Sequence, residues 1–180
     1  SVSVAEGIRQ NLTNQRAQFI ESFFTTVQLC LAANESQGLR YGTRLTEEKH
    51  YLTWKSDGYH EQENERDAVD IAIEKANAQL MGQFAPVLYK ELAHIFTKER
   101  FLDLLENFLV FDKGRKKICR YNQYYGVKRA QVRVTSRQNG IIWHTQGSGK
   151  TLTMIWLAKW IKAHNHNARV LIVTDREELD

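Results

Sequence analysis

Apolar positions in the first third of the chain change from a helical to a strand-like spacing. Ile8 and Leu12 lie four residues apart within the polar stretch 6–18, which predicts a short amphipathic helix. Aromatic and β-branched residues are then enriched in three segments, 23–31, 39–43 and 51–54. These segments predict strands, and the polar run 34–38 predicts a turn between the first two. A sheet of this size is too small to be stable alone.

Helical spacing dominates the middle of the chain, and a β-α-β order follows it. The helical stretch begins near Val69, is interrupted near Gly82 and Pro86, and resumes as packing helices through Leu109. Four elements are predicted after it: a helix at 118–134, a buried strand at 140–143, a helix at 149–163 and a second buried strand at 170–174. Short apolar strands on either side of a crossover helix predict a parallel sheet that is covered on both faces.

Composition places the chain among soluble globular proteins. It has 180 residues, of which 42% are hydrophobic and 26% are charged. Cys30 and Cys119 have no Cys or His at ligand spacing, which argues against a disulfide framework and a zinc module and fits a reducing, cytoplasmic compartment. No apolar run approaches the roughly 18 residues that span a bilayer, and no signal peptide is recognisable. We therefore expect no association with a membrane.

Charge is distributed unevenly between the two parts of the chain. Residues 1–97 carry 9 basic and 13 acidic side chains, whereas residues 98–180 carry 16 basic and 8 acidic ones. Within the second part, residues 113–137 hold nine bases and no acid. Such a run is typical of a surface that faces a polyanion such as DNA. A solvated helix face is an equally good interpretation of the composition alone.

The segment 144–151, His-Thr-Gln-Gly-Ser-Gly-Lys-Thr, lies between a predicted strand and a predicted helix. Gly147 and Gly149 allow the backbone to curl around a phosphate, and their N–H groups join the helix N-terminus in an anion-binding nest. Lys150 can then reach the β and γ phosphates, and the hydroxyl of Thr151 can hold Mg²⁺. This order of strand, loop and helix is the context that a phosphate-binding loop requires.

The strict phosphate-loop pattern has a glycine where this chain has His144, so the match is to the shorter Gly-Ser-Gly-Lys-Thr form. The alternative is a glycine-rich turn with a surface lysine, which the flanking strand and helix disfavour. Nucleotide binding is therefore predicted. The candidate binding residues in the segment are Gln146, Gly147, Ser148, Gly149, Lys150 and Thr151.

Polar residues on both sides of this segment are further candidates. Gln123 lies about one helix upstream, where its amide can pair with the N6/N7 edge of adenine. A polar residue on a helix surface is the alternative for Gln123. Thr174 and Arg176 follow the second predicted strand, at the edge where open α/β sheets bind ligands, and can contact a phosphate backbone. A helix N-cap explains Thr174 equally well.

Four segments combine in a characteristic order and spacing: Phe101-Leu-Asp-Leu-Leu-Glu-Asn-Phe-Leu-Val-Phe-Asp112, Lys117-Ile-Cys-Arg-Tyr-Asn-Gln-Tyr-Tyr125, Ile141-Ile-Trp-His-Thr-Gln-Gly-Ser-Gly-Lys-Thr151 and Val173-Thr-Asp-Arg-Glu-Glu-Leu-Asp180. Together they resemble the lead-in helix, the adenine-recognition motif, motif I and motif Ia of the motor (R) subunit of type I restriction-modification enzymes. These subunits are DNA translocases of helicase superfamily 2. The family's motif I reads His-Thr-Gln-Gly-Ser-Gly-Lys-[Ser/Thr], so His144 fits it.

The resemblance implies an α/β fold. It predicts an incomplete RecA-like P-loop lobe, with parallel strands and a crossover helix, after a helical connector and a small β segment from the edge of a nuclease domain. The implied domains are 1–60 for the nuclease edge, 61–112 for the connector and 113–180 for the lobe. The chain stops at Asp180, before the family's Asp-Glu-x-His motif and second lobe, so it is expected to be an internal fragment.

The resemblance also implies roles for individual residues. The implied roles are adenine recognition by Gln123 and Arg120, ATP binding by 147–151, and DNA contact by Thr174 and Arg176. Lys150 and Thr151 would be the catalytic residues, because Lys150 would neutralise charge on the γ-phosphate and Thr151 would hold Mg²⁺.

By the same resemblance, the whole subunit would hydrolyse ATP to pump double-stranded DNA and would then cut it. Its partners would be the specificity (S) and methyltransferase (M) subunits, and this fragment alone would be inactive. Two alternatives remain open from the residues: another P-loop NTPase or superfamily 2 helicase, and a non-catalytic interaction module.

Overall fold

The computed structural model describes residues 2–55, 71, 75 and 87–173. The chain divides into two units, residues 1–118 and residues 119–180. The domain boundaries predicted after residues 60 and 112 stay predictions. Among the described residues, no helix is long and apolar enough to cross a membrane.

Within residues 2–55 and 87–118, the first unit contains α-helices, short 3-10 helices and two β-hairpins. In chain order these elements are α1 (Val4–Asn14), a 3-10 helix (Glu21–Thr25), β1 (Cys30–Asn34), β2 (Gly38–Gly42), a 3-10 helix (Glu48–His50), α2 (Val87–Ile95), α3 (Lys98–Asn107), β3 (Leu109–Asp112) and β4 (Arg115–Ile118). Both hairpins, β1–β2 and β3–β4, are antiparallel.

Helix α1 packs on the hairpin β1–β2 through a small apolar core. Val4 and Ile8 of α1 are buried together with Ala32 of β1. The chain turns between Asn34 and Gly38, which pair across the end of the hairpin, and Gly38 has a φ of +72°. A turn at this point suits glycine, which adopts positive φ without steric cost. The predicted amphipathic helix and the predicted turn are both confirmed.

The first predicted strand, 23–31, is wrong over residues 23–29, because β1 begins only at Cys30. Residues Glu21–Thr25 form a 3-10 helix, in which the Phe23 N–H donates to the carbonyl of Ile20 at 3.0 Å. The hydroxyl of Thr25 donates to the carbonyl of Ser22 at 2.7 Å. These local bonds satisfy backbone groups that a strand would pair with a neighbour, which is how Ser and Thr commonly compete with sheet formation.

The third predicted strand, 51–54, is reduced to a single antiparallel bridge between Tyr41 and Leu52. Tyr41 donates to the Leu52 carbonyl at 3.0 Å, and Leu52 donates back at 2.8 Å. The bridge joins the segment to β2 at one point, so a third strand does not form here.

The hairpin β3–β4 lies between the helix predicted to end at Leu109 and the helix predicted to begin at Ile118, and it includes both of these residues. Lys113 and Gly114 link the strands with φ values of +48° and +76°. Positive φ at both central residues defines the type I′ turn, whose twist matches that of a two-residue hairpin. Because the hairpin lies between them, the preceding helix ends at Asn107 and the next helix begins only at Tyr121.

The second unit contains two packed helices, α4 (Tyr121–Thr135) and α5 (Lys150–His164). Tyr124 and Val127 of α4 and Trp156 of α5 are buried. Both helices match the predicted elements at 118–134 and 149–163, so these two predictions are confirmed.

The strand predicted at 140–143 is absent, and so are residues 170–173 of the strand predicted at 170–174; Thr174 lies outside the described residues. An extended segment becomes a strand only when neighbours pair with its N–H and C=O groups. Neither segment pairs within the described part of the chain, and their apolar side chains are exposed, with Ile141 at 91% and Leu171 at 86%. The described residues therefore show a mixed α/β structure with two antiparallel hairpins and no parallel sheet.

Candidate nucleotide-binding site

Residues 144–149, called the glycine loop below, lead directly into helix α5. Gly147 and Gly149 have φ values of +74° and +81°, in the left-handed region that favours glycine. Gly149 is the N-cap, so α5 begins at Lys150. The first N–H groups of a helix have no partner within it, and the helix dipole favours an anion at this end. The backbone here can therefore hold a phosphate.

Lys150 lies across the glycine loop. Its Nζ donates to the carbonyl oxygens of His144 and Thr145, both at 3.1 Å, and the side chain is exposed. The ammonium group is therefore at the surface of the loop, where an incoming anion can reach it.

Gln123 connects helix α4 to the end of the glycine loop. Its side chain is buried, and its Oε1 accepts the backbone N–H of Arg120 at 2.8 Å. Its Nε2 donates to the carbonyl oxygens of Ser148 at 3.1 Å and of Gly149 at 2.9 Å. The sequence predicted that Gln123 reads adenine, which stays a prediction; the structure places its side chain against the glycine loop. Both amide hydrogens, however, are donated to the loop backbone.

The two glycines face different surroundings. A Cβ added to Gly149 would collide with Nε2 of Gln123, whereas a Cβ added to Gly147 would meet no atom within 4 Å. Gly149 is therefore required by its backbone conformation and by its neighbour. Open space beside Gly147, exposed Lys150 and the helix N-terminus together fit a bound phosphate group.

The remaining candidate residues lie in or next to the glycine loop and differ in their exposure to solvent. Arg120 is exposed, and its Nη1 donates to the Gly147 carbonyl at 3.5 Å. Gln146 is exposed, whereas Ser148 is buried and its hydroxyl has no hydrogen-bond partner in the part of the chain that the structure describes. Thr151 lies in the first turn of α5 and is partly buried. Six consecutive candidate residues and Arg120 thus lie together at one end of α5.

His144 makes a contact with α4 that the sequence did not predict. Its ring hydrogen-bonds the backbone of Asn122 and packs against Gly126. Burial lowers the pKa of His144, the hydrogen bond to Asn122 opposes this change, and the charge of Lys150 lowers the pKa further. Two residues of the sequence signal this contact: His144 stands where the strict phosphate-loop pattern has glycine, and Gly126 lies inside the predicted helix 118–134.

Two predicted DNA contacts, Thr174 and Arg176, lie outside the described residues. Within the described ranges, no cluster of three or more His, Cys, Asp or Glu residues could hold a metal ion.

Residues 122–180 match the SWI2/SNF2 ATPase family model. The chain is also similar to several endonuclease subunits of type I restriction enzymes. The HindI subunit of Haemophilus influenzae is 34% identical over 122 residues, which are 60% of this chain and 12% of that protein. A Methanocaldococcus jannaschii protein named as the MjaVIIIP endonuclease subunit is 37% identical over 105 residues, which are 51% of this chain and 10% of the relative.

A second Methanocaldococcus jannaschii relative, named as the MjaIXP endonuclease subunit, is 40% identical over 101 residues, which are 49% of this chain and 10% of that protein. The chain thus spans about a tenth of the length of the relatives that it matches. These similarities confirm the resemblance to type I restriction enzymes drawn from the motifs, and the C-terminal part is similar to the SWI2/SNF2 ATPase family.

Proposed function

We propose that the chain is the ATP-binding part of the motor subunit of a type I restriction enzyme. The whole subunit couples ATP hydrolysis to translocation along double-stranded DNA and to endonucleolytic cleavage, in a complex with specificity and methyltransferase subunits. One observation carries the proposal: the glycine loop is folded against α4 with its lysine at the N-terminus of α5.

The proposed fold of the second unit is the first part of a RecA-like lobe, in which α5 is a crossover helix. Apolar side chains on both sides of α5 support this proposal. Ile141, Trp143, Leu171 and Val173 are each more than four-fifths exposed. Consecutive apolar residues are typical of the buried strands of a parallel sheet, and they are uncommon on a free surface.

ATP supplies the phosphoryl group whose transfer to water drives the motor. Lys150 would bind the β and γ phosphates, the backbone N–H groups from Gly147 to Thr151 would surround them, and the hydroxyl of Thr151 would hold Mg²⁺. These groups stabilise negative charge as it develops on the transferred phosphoryl group. Arg120 and Gln123 would face the nucleotide from α4, where Gln123 is the proposed reader of adenine.

Double-stranded DNA is the proposed polyanionic partner. Lys128, Arg129 and Arg133 lie on α4 within the basic run, and Arg133 is exposed. Lysine and arginine side chains bind the phosphate backbone without regard to sequence, as a translocating motor requires. Thr174 and Arg176 are proposed as further backbone contacts.

The proposal is tested by measuring ATP hydrolysis by the intact protein, with its partner subunits, in the presence and absence of duplex DNA. Lys150→Ala is the test variant, and Lys162→Ala is the control because Lys162 is an exposed lysine at the other end of α5. We expect DNA to stimulate hydrolysis in the wild type and in Lys162→Ala, and Lys150→Ala to lose at least about a hundredfold in rate.

Other outcomes would support other functions. Hydrolysis that depends on Lys150 but not on DNA would indicate a metabolic or regulatory NTPase. If neither the wild type nor Lys150→Ala binds or hydrolyses ATP, the glycine loop is only a structural turn and the unit is an interaction module.

A further inference from the structure

The ring of His144 packs against α4 at Gly126, the glycine within this helix. Atoms Cε1 and Nε2 of its ring lie 3.4 Å from the position that a Cβ on Gly126 would occupy. The ring also hydrogen-bonds the backbone of Asn122, four residues earlier on the same helix. Nε2 is the ring nitrogen that faces α4, because it lies 3.4 Å from the Cβ position of Gly126, whereas Nδ1 has no partner among the described residues. The absence of a side chain at Gly126 gives the ring access to the helix backbone.

The glycine loop is therefore held to α4 near both of its ends. His144 attaches its beginning to Asn122, and Gln123 attaches its end through the carbonyls of Ser148 and Gly149. The two anchor residues on α4 are adjacent in sequence. Between these attachments lies Gly147, which as a glycine can adopt many backbone conformations. The two attachments limit this freedom.

The carbonyl of His144 is also one of the two oxygens that receive Nζ of Lys150. The position of the His144 backbone therefore influences the position of the ammonium group. A glycine, which the strict phosphate-loop pattern has at this position, offers no side chain for such an attachment. In this chain the ring supplies it.

We propose that His144 is a positioning residue for nucleotide binding: it fixes the beginning of the glycine loop on α4, next to the Gln123 anchor, and thereby places Lys150 for the phosphates. The inference depends on the proposed function, because it assigns a role within the same ATP site. Without the ring contact, only a fraction of the molecules holds the loop in the binding arrangement, and the apparent affinity falls by that fraction.

Matched substitutions at position 144 separate the hydrogen bond from the bulk of the ring. The amide nitrogen of glutamine reaches about as far as Nε2 of histidine, whereas that of asparagine reaches only as far as Nδ1. We expect His144→Ala and His144→Asn to bind ATP about tenfold more weakly than the wild type, since each loses one hydrogen bond that orders the loop. His144→Gln should restore affinity to within about twofold of the wild type.

The binding is measured in the intact protein by titration with a fluorescent ATP analogue, and thermal unfolding of each variant is followed in parallel. Rescue by glutamine but not by asparagine supports the positioning role, since a residue that only fills space would not distinguish the two. Equal affinity of all three variants and the wild type would overturn it, as would a glutamine variant as weak as the alanine variant.

A second pair of variants tests the contact from α4. A Cβ at Gly126 would already contact the ring at 3.4 Å, so the larger side chain of leucine would compete with the ring for this space, although it raises helix propensity. We expect Gly126→Leu to weaken ATP binding in the wild type and to have a much smaller effect in the His144→Ala background, because the ring is already gone. Additive effects would overturn the inference. Lys150→Ala is titrated alongside. If the wild type binds ATP and Lys150→Ala does not, additive effects contradict only the role of His144. If the wild type itself does not bind ATP, the proposed function fails.

Discussion

The side-chain amide of Gln123 donates a hydrogen bond of 2.9 Å to the carbonyl of Gly149, the residue directly before Lys150. The second amide hydrogen is donated to Ser148. A base whose N7 accepts a hydrogen bond from this amide must compete with one of the two carbonyls. Recognition of adenine and the conformation of the glycine loop therefore depend on the same side chain.

Replacing Gln123 by alanine should lower both stability and nucleotide affinity. The change leaves the buried carbonyl of Ser148 without its donor, which costs about 1–3 kcal/mol of unfolding free energy. Affinities for ATP and GTP are measured by titration, with Gln138→Ala as control because Gln138 is exposed and its side chain accepts a hydrogen bond from the exposed Arg133. A larger loss for ATP than for GTP indicates adenine reading, and equal losses indicate that Gln123 acts only through the loop.

Gly149→Ala should be more damaging than Gly147→Ala, although both glycines have positive φ. A left-handed conformation costs an alanine about 1–2 kcal/mol, and both variants pay this cost. Only at Gly149 does the new Cβ also collide with the Gln123 amide. Denaturant unfolding and ATP titration of the two variants check the order. Equal losses at the two positions would show that the Gln123 contact is unimportant.

His144 should make the protein less stable in mild acid. Its pKa is lowered in the folded state, so the unfolded chain binds more protons than the folded one as the pH falls below about 6.5. The stability that neutral His144 contributes is present above this pH and is lost as the pH falls through the folded-state pKa. Lys150 is the charged group beside the ring, and the contacts on α4, Asn122 and Gly126, are uncharged.

Denaturant unfolding at several pH values between about 5 and 7 measures this dependence. We expect a smaller change across the window in His144→Gln than in the wild type, because glutamine does not titrate. An identical pH dependence in the two proteins would contradict the assignment of the effect to His144.

Glu91 should be important for the stability of the first unit. Its carboxylate accepts the backbone N–H of Leu39, at the beginning of β2, and burial raises the pKa of Glu91. Leu39 is buried, so Glu91→Ala leaves a buried N–H without a partner and should cost about 1–3 kcal/mol in denaturant unfolding. Glu35→Ala, an exposed carboxylate in the turn of the same hairpin, should have little effect. A loss of equal size in the control would show that the hairpin responds only to charge.

Local chemistry made part of this structure predictable from the sequence. Gly149 and Lys150 mark the start of α5, because the glycine adopts the left-handed N-cap conformation and the following residues have helical spacing. The turn between Asn34 and Gly38 is likewise fixed by the residues within it. In such cases a few adjacent side chains determine the backbone, so the pattern is sufficient.

The sequence was insufficient where the outcome depends on partners distant along the chain. The segment 140–143 is apolar enough for a strand, but strand formation requires a neighbour to pair with, and the described residues provide none. The Lys113–Gly114 turn was a readable signal that the helical pattern on both sides concealed. The contact of His144 with Asn122 joins two elements whose packing no local pattern specifies.

Lys150 donates to two carbonyls of its own loop. These carbonyls compete with a bound polyphosphate for the ammonium group. When a polyphosphate binds, Lys150 exchanges its hydrogen bonds to the carbonyls for hydrogen bonds to the phosphates. The measured affinity is then the difference between two sets of hydrogen bonds. A substitution that weakens these two hydrogen bonds of Lys150, and leaves the loop attached to α4, would strengthen binding without adding any contact to the nucleotide.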